Sequence, residues 1–242
     1  MSAPWLLIIG VLIHSPDPLM TLARSRAALS AALPLLLPLL LVLVFVMHLR
    51  SVPQFLDFKT TYVPNPPDKM VHWLAGTARQ PGLRVDPHVI AYLALPLLLL
   101  TARMLHHVAR VRRPRASAFA FGVTVVGSIY LGGLFGMWTA FFDGLAHVDP
   151  RDADGAVAAF TAMTAPRGAF LLTTTLAKLG FAGLALQGAV LWGRATSARV
   201  AAVCLVIGSG LILAFWDLDN WMLVGSLLML AGLLAGRRDE AA

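Results

Sequence analysis

Six stretches of the chain are apolar almost without interruption, and each is bounded by clusters of arginine, aspartate or proline. They run over Ala31–His48, His88–Ala109, Ser117–Phe142, Gly168–Trp192, Ser197–Trp216 and Asn220–Gly236. A helix crossing hydrocarbon needs about 20 mostly apolar residues, and all six runs reach roughly that length. The pattern predicts an all-α fold: a polytopic membrane helix bundle of six transmembrane helices. The fifth and sixth are joined only by Asp217-Leu218-Asp219-Asn220. That spacing predicts a tight helical hairpin, with Asp219 or Asn220 as the N-cap of the last helix.

The remaining segments give the domain organisation. Residues 1–30 read as a cytoplasmic or interfacial N-terminal segment. Residues 31–236 read as the transmembrane domain, with a long outer loop at 50–87, and residues 237–242 as a cytoplasmic tail. Within the first segment Trp5–Ile13 is apolar but too short to span, and Pro16-Asp17-Pro18 ends it. A start at Met20 in place of Met1 also leaves a first span with a positive flank. No small-x-small cleavage site follows Val46, so the first span reads as an uncleaved anchor. The outer loop contains Val63-Pro64-Asn65-Pro66-Pro67, an extended polyproline-like stretch.

Composition sharpens this picture. Hydrophobic residues make up 58% of the 242 and charged residues 13%, too apolar for a single soluble core, which needs a polar surface. The lone cysteine, Cys204, excludes an internal disulfide. The net charge is +7, but the basic residues sit between apolar runs. They therefore read as determinants of orientation and as contacts to anionic lipid, not to nucleic acid.

Six spans put both termini on one side. That side holds Arg24, Arg26, Arg110, Arg112, Arg113, Arg115, Arg194, Arg199, Arg237 and Arg238. The other side holds seven basic residues, five of them in the long loop, and the link between spans three and four is acidic. The positive-inside rule then places both termini in the cytoplasm. Six spans, arginine-rich inner loops and a Trp- and Asp-rich final hairpin together resemble many bacterial integral membrane proteins, which implies the bacterial inner membrane.

Lipid tails are as apolar as leucine, so helices must associate through small residues that let backbones approach. Candidates are Gly132-Gly133-x-x-Gly136, Gly180-x-x-Gly183, Gly208-Ser209-Gly210, Gly225-Ser226 and Gly232-x-x-x-Gly236. The leucine-rich first span lacks such residues. It is expected at the periphery, facing lipid, with the third to sixth spans forming the tighter core. The same glycines also suit a homo-oligomer interface.

Two constellations carry candidate chemistry. Lys178 lies about midway along the fourth span, where a charge costs at least ~2.5–3.5 kcal/mol to insert. Thr174 is one turn away on the same face. Asp143 and Asp217, at the outer ends of neighbouring spans, are the candidate counter-ions for a ligand or proton site. The second constellation is at the outer face. Asp68 and His72, and likewise Asp143 and His147, are four apart, a spacing that brings two ligands to one face of a helix; His48 and His88 flank the same side. That donor set suits zinc or copper. His106 and His107 read as an interfacial basic cluster, and most of the tryptophans as an aromatic belt. No phosphate-binding loop, zincin, nucleophile-elbow or dinucleotide fingerprint is present.

Three readings of function stay open. The first is a non-enzymatic, transporter-like or accessory membrane subunit with Lys178 facing the bundle interior. The second is a zinc- or copper-binding membrane enzyme or redox subunit using the outer His/Asp cluster. The third is a structural scaffold subunit without a small ligand.

Overall fold

The computed structural model describes residues 18–48, 87–145, 149–163, 167–216 and 219–237. Helix α1 covers Pro18–His48, α2 Pro87–Ala109 and α3 Pro114–Leu145. A single 3-10 turn at Pro150–Asp152 leads into the short α4, Ala153–Met163. Then follow α5 (Gly168–Ala177), α6 (Leu179–Val190), α7 (Thr196–Ala214) and α8 (Asp219–Arg237). No strand occurs among the described residues.

Helices α1 and α3 run beyond the apolar stretches that predicted them. The residues before Ala31 are mostly Ala, Leu and Arg, all good helix formers. Pro18, Pro87 and Pro114 each open a helix, the position where proline's missing N–H costs nothing. The fourth span is interrupted at Lys178, whose N–H still reaches the Thr174 carbonyl at 3.3 Å. At the last hairpin Asn220 Oδ1 accepts the Trp221 N–H at 3.0 Å, and Phe215 stacks on Trp221 at 4.8 Å between ring centroids.

Counting α5 and α6 as one rod, six rods form a closed ring. Each packs on its neighbours in sequence, and α8 returns to pack on α1. Helix α2 also touches α6 across the middle. Neighbours are antiparallel: Gly127 of α3 opposes Gly180, while Thr124, one turn earlier, opposes Gly183.

The expectation that the first span is peripheral is corrected by this ring. Pro34, Leu37, Pro38, Leu41, Val44 and Phe45 of α1 are buried, while Leu36, Leu39, Leu43 and Val46 face outward. The buried set recurs every three or four residues, one face of a helix. Leucine side chains thus close the ring between α2 and α8 by interdigitation, without needing glycine.

Elsewhere glycine sets the approach. A side chain on Gly127 would collide with the backbone of Leu179 and Gly180, and one on Gly183 with the backbone of Thr124. Gly208 and Gly225 face each other across α7 and α8, and a Cβ on Gly232 would fall 2.9 Å from Cys204 Cβ. Of the third-span triplet, by contrast, Gly132 and Gly136 meet only the side chains of Leu95 and Tyr92, and Gly133 meets nothing within 4 Å. Gly210 is equally open. The buried hydroxyls beside these crossings turn inward to their own helix: Thr124 donates to the Ala120 carbonyl, Ser128 to Thr124 and Ser226 to Met222, all within 3.0 Å.

The outer surface of the ring is apolar. Leu39, Leu93, Phe119, Ile129, Leu172, Leu186, Ile207 and Leu227 all stand exposed, at least one on each rod. A soluble monomer rarely shows contiguous apolar patches on this scale. Val89–Ala109, Pro114–Ala140, Gly168–Val190 and Thr196–Ala214 are also long and apolar enough to cross a bilayer. The chain is a multi-pass integral membrane protein.

The glycine crossings make a graded test. Gly127→Ala should cost about 1–3 kcal/mol, as expected for overpacking a filled contact. Gly122→Ala and Gly133→Ala, with open space at both positions, should leave stability unchanged or raise it by up to ~1 kcal/mol through helix propensity. Thermal unfolding of the three variants in one detergent ranks them. Equal melting temperatures for Gly127→Ala and Gly133→Ala would contradict the packing described.

Candidate functional site

Lys178 is half-buried, and its Nζ lies 6.0 Å from the Trp216 ring centroid. Trp216 also meets Phe181 edge-on at 6.1 Å. The Trp216 ring, just past the end of α7, therefore stands over the lysine as a cation–π partner, a contact worth roughly 0.5–1 kcal/mol where exposed. Thr174 does not join it by a hydroxyl bond. Thr174 Oγ1 donates within its own helix, to the carbonyls of Phe170 at 2.9 Å and Leu171 at 3.1 Å. Asp217 lies outside the described residues, and Asp143 falls on helical backbone whose side chain is outside them too.

The candidate metal ligands fall in the same undescribed part. Asp68, His72 and His147 lie outside the described residues, as do the side chains of His48 and His88. Among the described residues no group of three potential ligands comes together. His106 has a different role from a ligand. Its Nδ1 is 2.7 Å from Ser117 Oγ, the serine hydroxyl lies 3.2 Å from the His106 carbonyl, and the imidazole stacks on Phe121 at 5.4 Å. Ser117 is fully buried. The histidine therefore clasps the end of α2 to the start of α3.

A concavity lies at this end of the ring. A cavity of about 1240 Å³ opens among the last turns of α2, α6 and α8 and the first turns of α7, with Pro34 of α1 reaching its wall. Leu105, Val190, Leu205 and Leu233 supply apolar wall. The rim is formed by Arg112 and Arg113 from the α2–α3 link, by Arg194 from the α6–α7 link and by Arg199 from the first turn of α7. No carboxylate is among the described residues that line it. Arg199 Nε donates to the Gly193 carbonyl at 3.1 Å, and a Cβ on Gly193 would fall 3.1 Å from Arg112 Nη1. Guanidinium groups from the α2–α3 link and from the start of α7 thus converge on one glycine.

Deeper in, Thr101 lines the cavity, fully buried, and its hydroxyl has no hydrogen-bond partner. Gln187, one turn before Val190 and Leu191, is also fully buried with both amide atoms unpartnered, as is the hydroxyl of Ser209.

Sequence reasoning missed this site. It read the four arginines as orientation signals and contacts to anionic lipid without placing them around one cavity, and did not single out Thr101. The usable signal was topological: in an up-and-down ring, the α2–α3 and α6–α7 links must share one end. Comparison with protein families, curated proteins and solved structures finds no match for this chain.

Two measurements test the local assignments. Ser117→Ala should cost about 1–2 kcal/mol in thermal unfolding, because it removes a hydrogen bond and leaves a part-buried imidazole nitrogen unmet. Lys178→Met should raise stability by about 1–3 kcal/mol, since the intramembrane insertion cost exceeds the cation–π gain. A Lys178→Met variant that melts lower would show that the lysine has a stronger partner than Trp216.

Proposed function

We propose that this protein is a non-enzymatic, transporter-like or accessory subunit of the bacterial inner membrane, with six spans, both termini in the cytoplasm and a ligand cavity open to the cytoplasmic face. The observation that carries the reading is the closed ring around a cavity of about 1240 Å³ rimmed by four arginines. A scaffold needs no interior space, whereas ligand sites are concave, mostly apolar and fitted with a few placed polar groups.

The ring supports a count of six spans. Ala32–Met47 and Asn220–Gly236 are shorter apolar stretches than the other four, yet α1 and α8 stand side by side in the same layer. At 1.5 Å per residue the shorter runs reach about 24–26 Å, a mismatch that local thinning of the bilayer accommodates. The orientation rests on the arginine-rich links, which the positive-inside rule puts in the cytoplasm.

Cysteine labelling tests cavity and orientation together. In a Cys204→Ser background, Ala198→Cys in the cavity wall should react with a membrane-impermeant maleimide in inside-out vesicles and stay unreactive in intact spheroplasts. Reaction from the outside only would reverse the orientation. No reaction from either side, with unchanged melting, would remove the open cavity and the ligand-binding reading with it.

A further inference from the structure

We infer that the arginine-rimmed cavity is a specific site for a phospholipid bearing an anionic phosphate head group, its phosphate held by Arg112 and Arg199 and one acyl chain lying inside the ring. The inference rests on the ligand-cavity reading above and names the ligand class.

The head-group assignment comes from charge. Four arginines border the mouth, and two of them meet at Gly193 with no carboxylate among the lining residues described. All four are exposed, and no carboxylate among the described lining offsets them, so the mouth presents positive charge to an anion; Asp17, Asp239 and Glu240 lie outside the described residues. Of the twelve acidic residues in the chain, nine fall in sequence at or beyond the opposite ends of these helices: Asp57, Asp68, Asp86, Asp143, Asp149, Asp152, Asp154, Asp217 and Asp219. Guanidinium groups present planar donor forks that match phosphate oxygens. A phosphate monoester, with up to two charges and three terminal oxygens, uses several forks at once where a carboxylate uses one. Basic pockets between membrane helices on the cytoplasmic side are a recurring way of holding anionic lipid head groups.

The tail assignment comes from depth and lining. Trp192, half exposed beside the rim, is the residue type that sits at head-group level. From Ala109 near the rim down to Thr101 is about 12 Å along α2, and from Ala195 to Leu205 about 15 Å along α7. The hydrocarbon core is about 30 Å thick, so the cavity reaches through roughly one leaflet. Below the rim the described lining is apolar apart from the Thr101 hydroxyl, too few partners for a sugar or a nucleoside and well suited to a chain. The volume exceeds that of a usual small-ligand site. A tail moving from bilayer to cavity exchanges one apolar surrounding for another, so selectivity must come from the head group.

The test is native mass spectrometry of the full-length protein in detergent, with three added probes: dioleoyl phosphatidic acid, dioleoyl phosphatidylcholine, and inorganic phosphate. One phosphatidic acid should be retained per chain, at least tenfold more tightly than phosphatidylcholine, and phosphate at millimolar concentration should not displace it. Arg112→Gln with Arg199→Gln should weaken phosphatidic acid binding at least tenfold while leaving phosphatidylcholine binding unchanged. Ala198→Trp, which fills the cavity and keeps every arginine, should abolish retention; Leu205→Phe serves the same purpose should the tryptophan variant fail to fold. Equal retention of phosphatidylcholine would make the cavity an unselective lipid crevice. Displacement by phosphate alone would make it a free-anion site, and full retention in both cavity-filled variants would put the lipid on the outside of the ring. Each of those three results overturns the inference. Labelling of Ala198→Cys from the cytoplasmic side without lipid retention would leave the ligand-cavity reading standing and remove this one alone.

Discussion

The fold depends on backbones being able to touch. In water, helices are driven together by burying apolar surface, but a bilayer gives no such reward, because lipid tails match leucine. What remains is close contact, and here it is concentrated at Gly127 against Gly180, Gly183 against Thr124, and Gly208 against Gly225. These crossings fix α3 on the α5–α6 rod and α7 on α8. The α2–α3 and α6–α7 joints are held in addition by short links, which leave antiparallel rods little freedom once these pairs are locked. Ring closure through α1 uses a different device, leucine interdigitation over a buried face containing Pro34 and Pro38. A face without glycine keeps its neighbours further apart, and Pro34 on that face lines the cavity.

Much of this was legible in the chain, for identifiable reasons. A bilayer demands long apolar runs, so runs of leucine, valine and alanine mark the helices without knowledge of packing. Gly180, Gly183, Gly208, Gly225 and Gly232 stood out as small residues and do form contacts. Gly127 did not, because it sits alone among β-branched and polar neighbours and its partner lies more than fifty residues away. Gly133 stood out and contacts nothing. Spacing along one helix reveals a small face, but which face meets a neighbour is decided by the ring. The long apolar stretch of α1 gave the opposite error, since lack of glycine was read as lack of partners.

The site was legible only in its parts. Arg112, Arg113, Arg194 and Arg199 were visible as charges, but two links more than eighty residues apart become one rim only when the helices between them fold back. The chemistry that the sequence did mark, Lys178 and the outer His/Asp set, sits elsewhere. Lys178 faces Trp216 with Thr174 occupied by its own backbone. The outer histidines and their aspartates lie outside the described residues. Individually conspicuous residues attract attention because they are costly where they stand, whereas a binding cavity is built largely from inexpensive residues placed around a space.

Cost also separates the buried polar groups. A serine or threonine in a helix can turn its hydroxyl to the carbonyl four residues back, as Thr124, Ser128 and Ser226 do. That escape is open to Thr101 and Ser209, so their lone hydroxyls are cheap to satisfy by a rotation. Gln187 has no such remedy. Its amide carries two N–H donors and a carbonyl, one backbone carbonyl meets only a fraction of them, and in a fully buried setting each unmet group costs about 1–3 kcal/mol. An apolar side chain of the same volume would pack there without that penalty, so packing does not account for a glutamine. The two residues that carry the same helix face onward by one turn, Val190 and Leu191, line the arginine-rimmed cavity. The polar group that bundle stability explains least therefore stands one turn deeper in the membrane than the wall of the space the ring encloses. Gln187 is therefore an interior residue that the contacts holding the helices together do not explain.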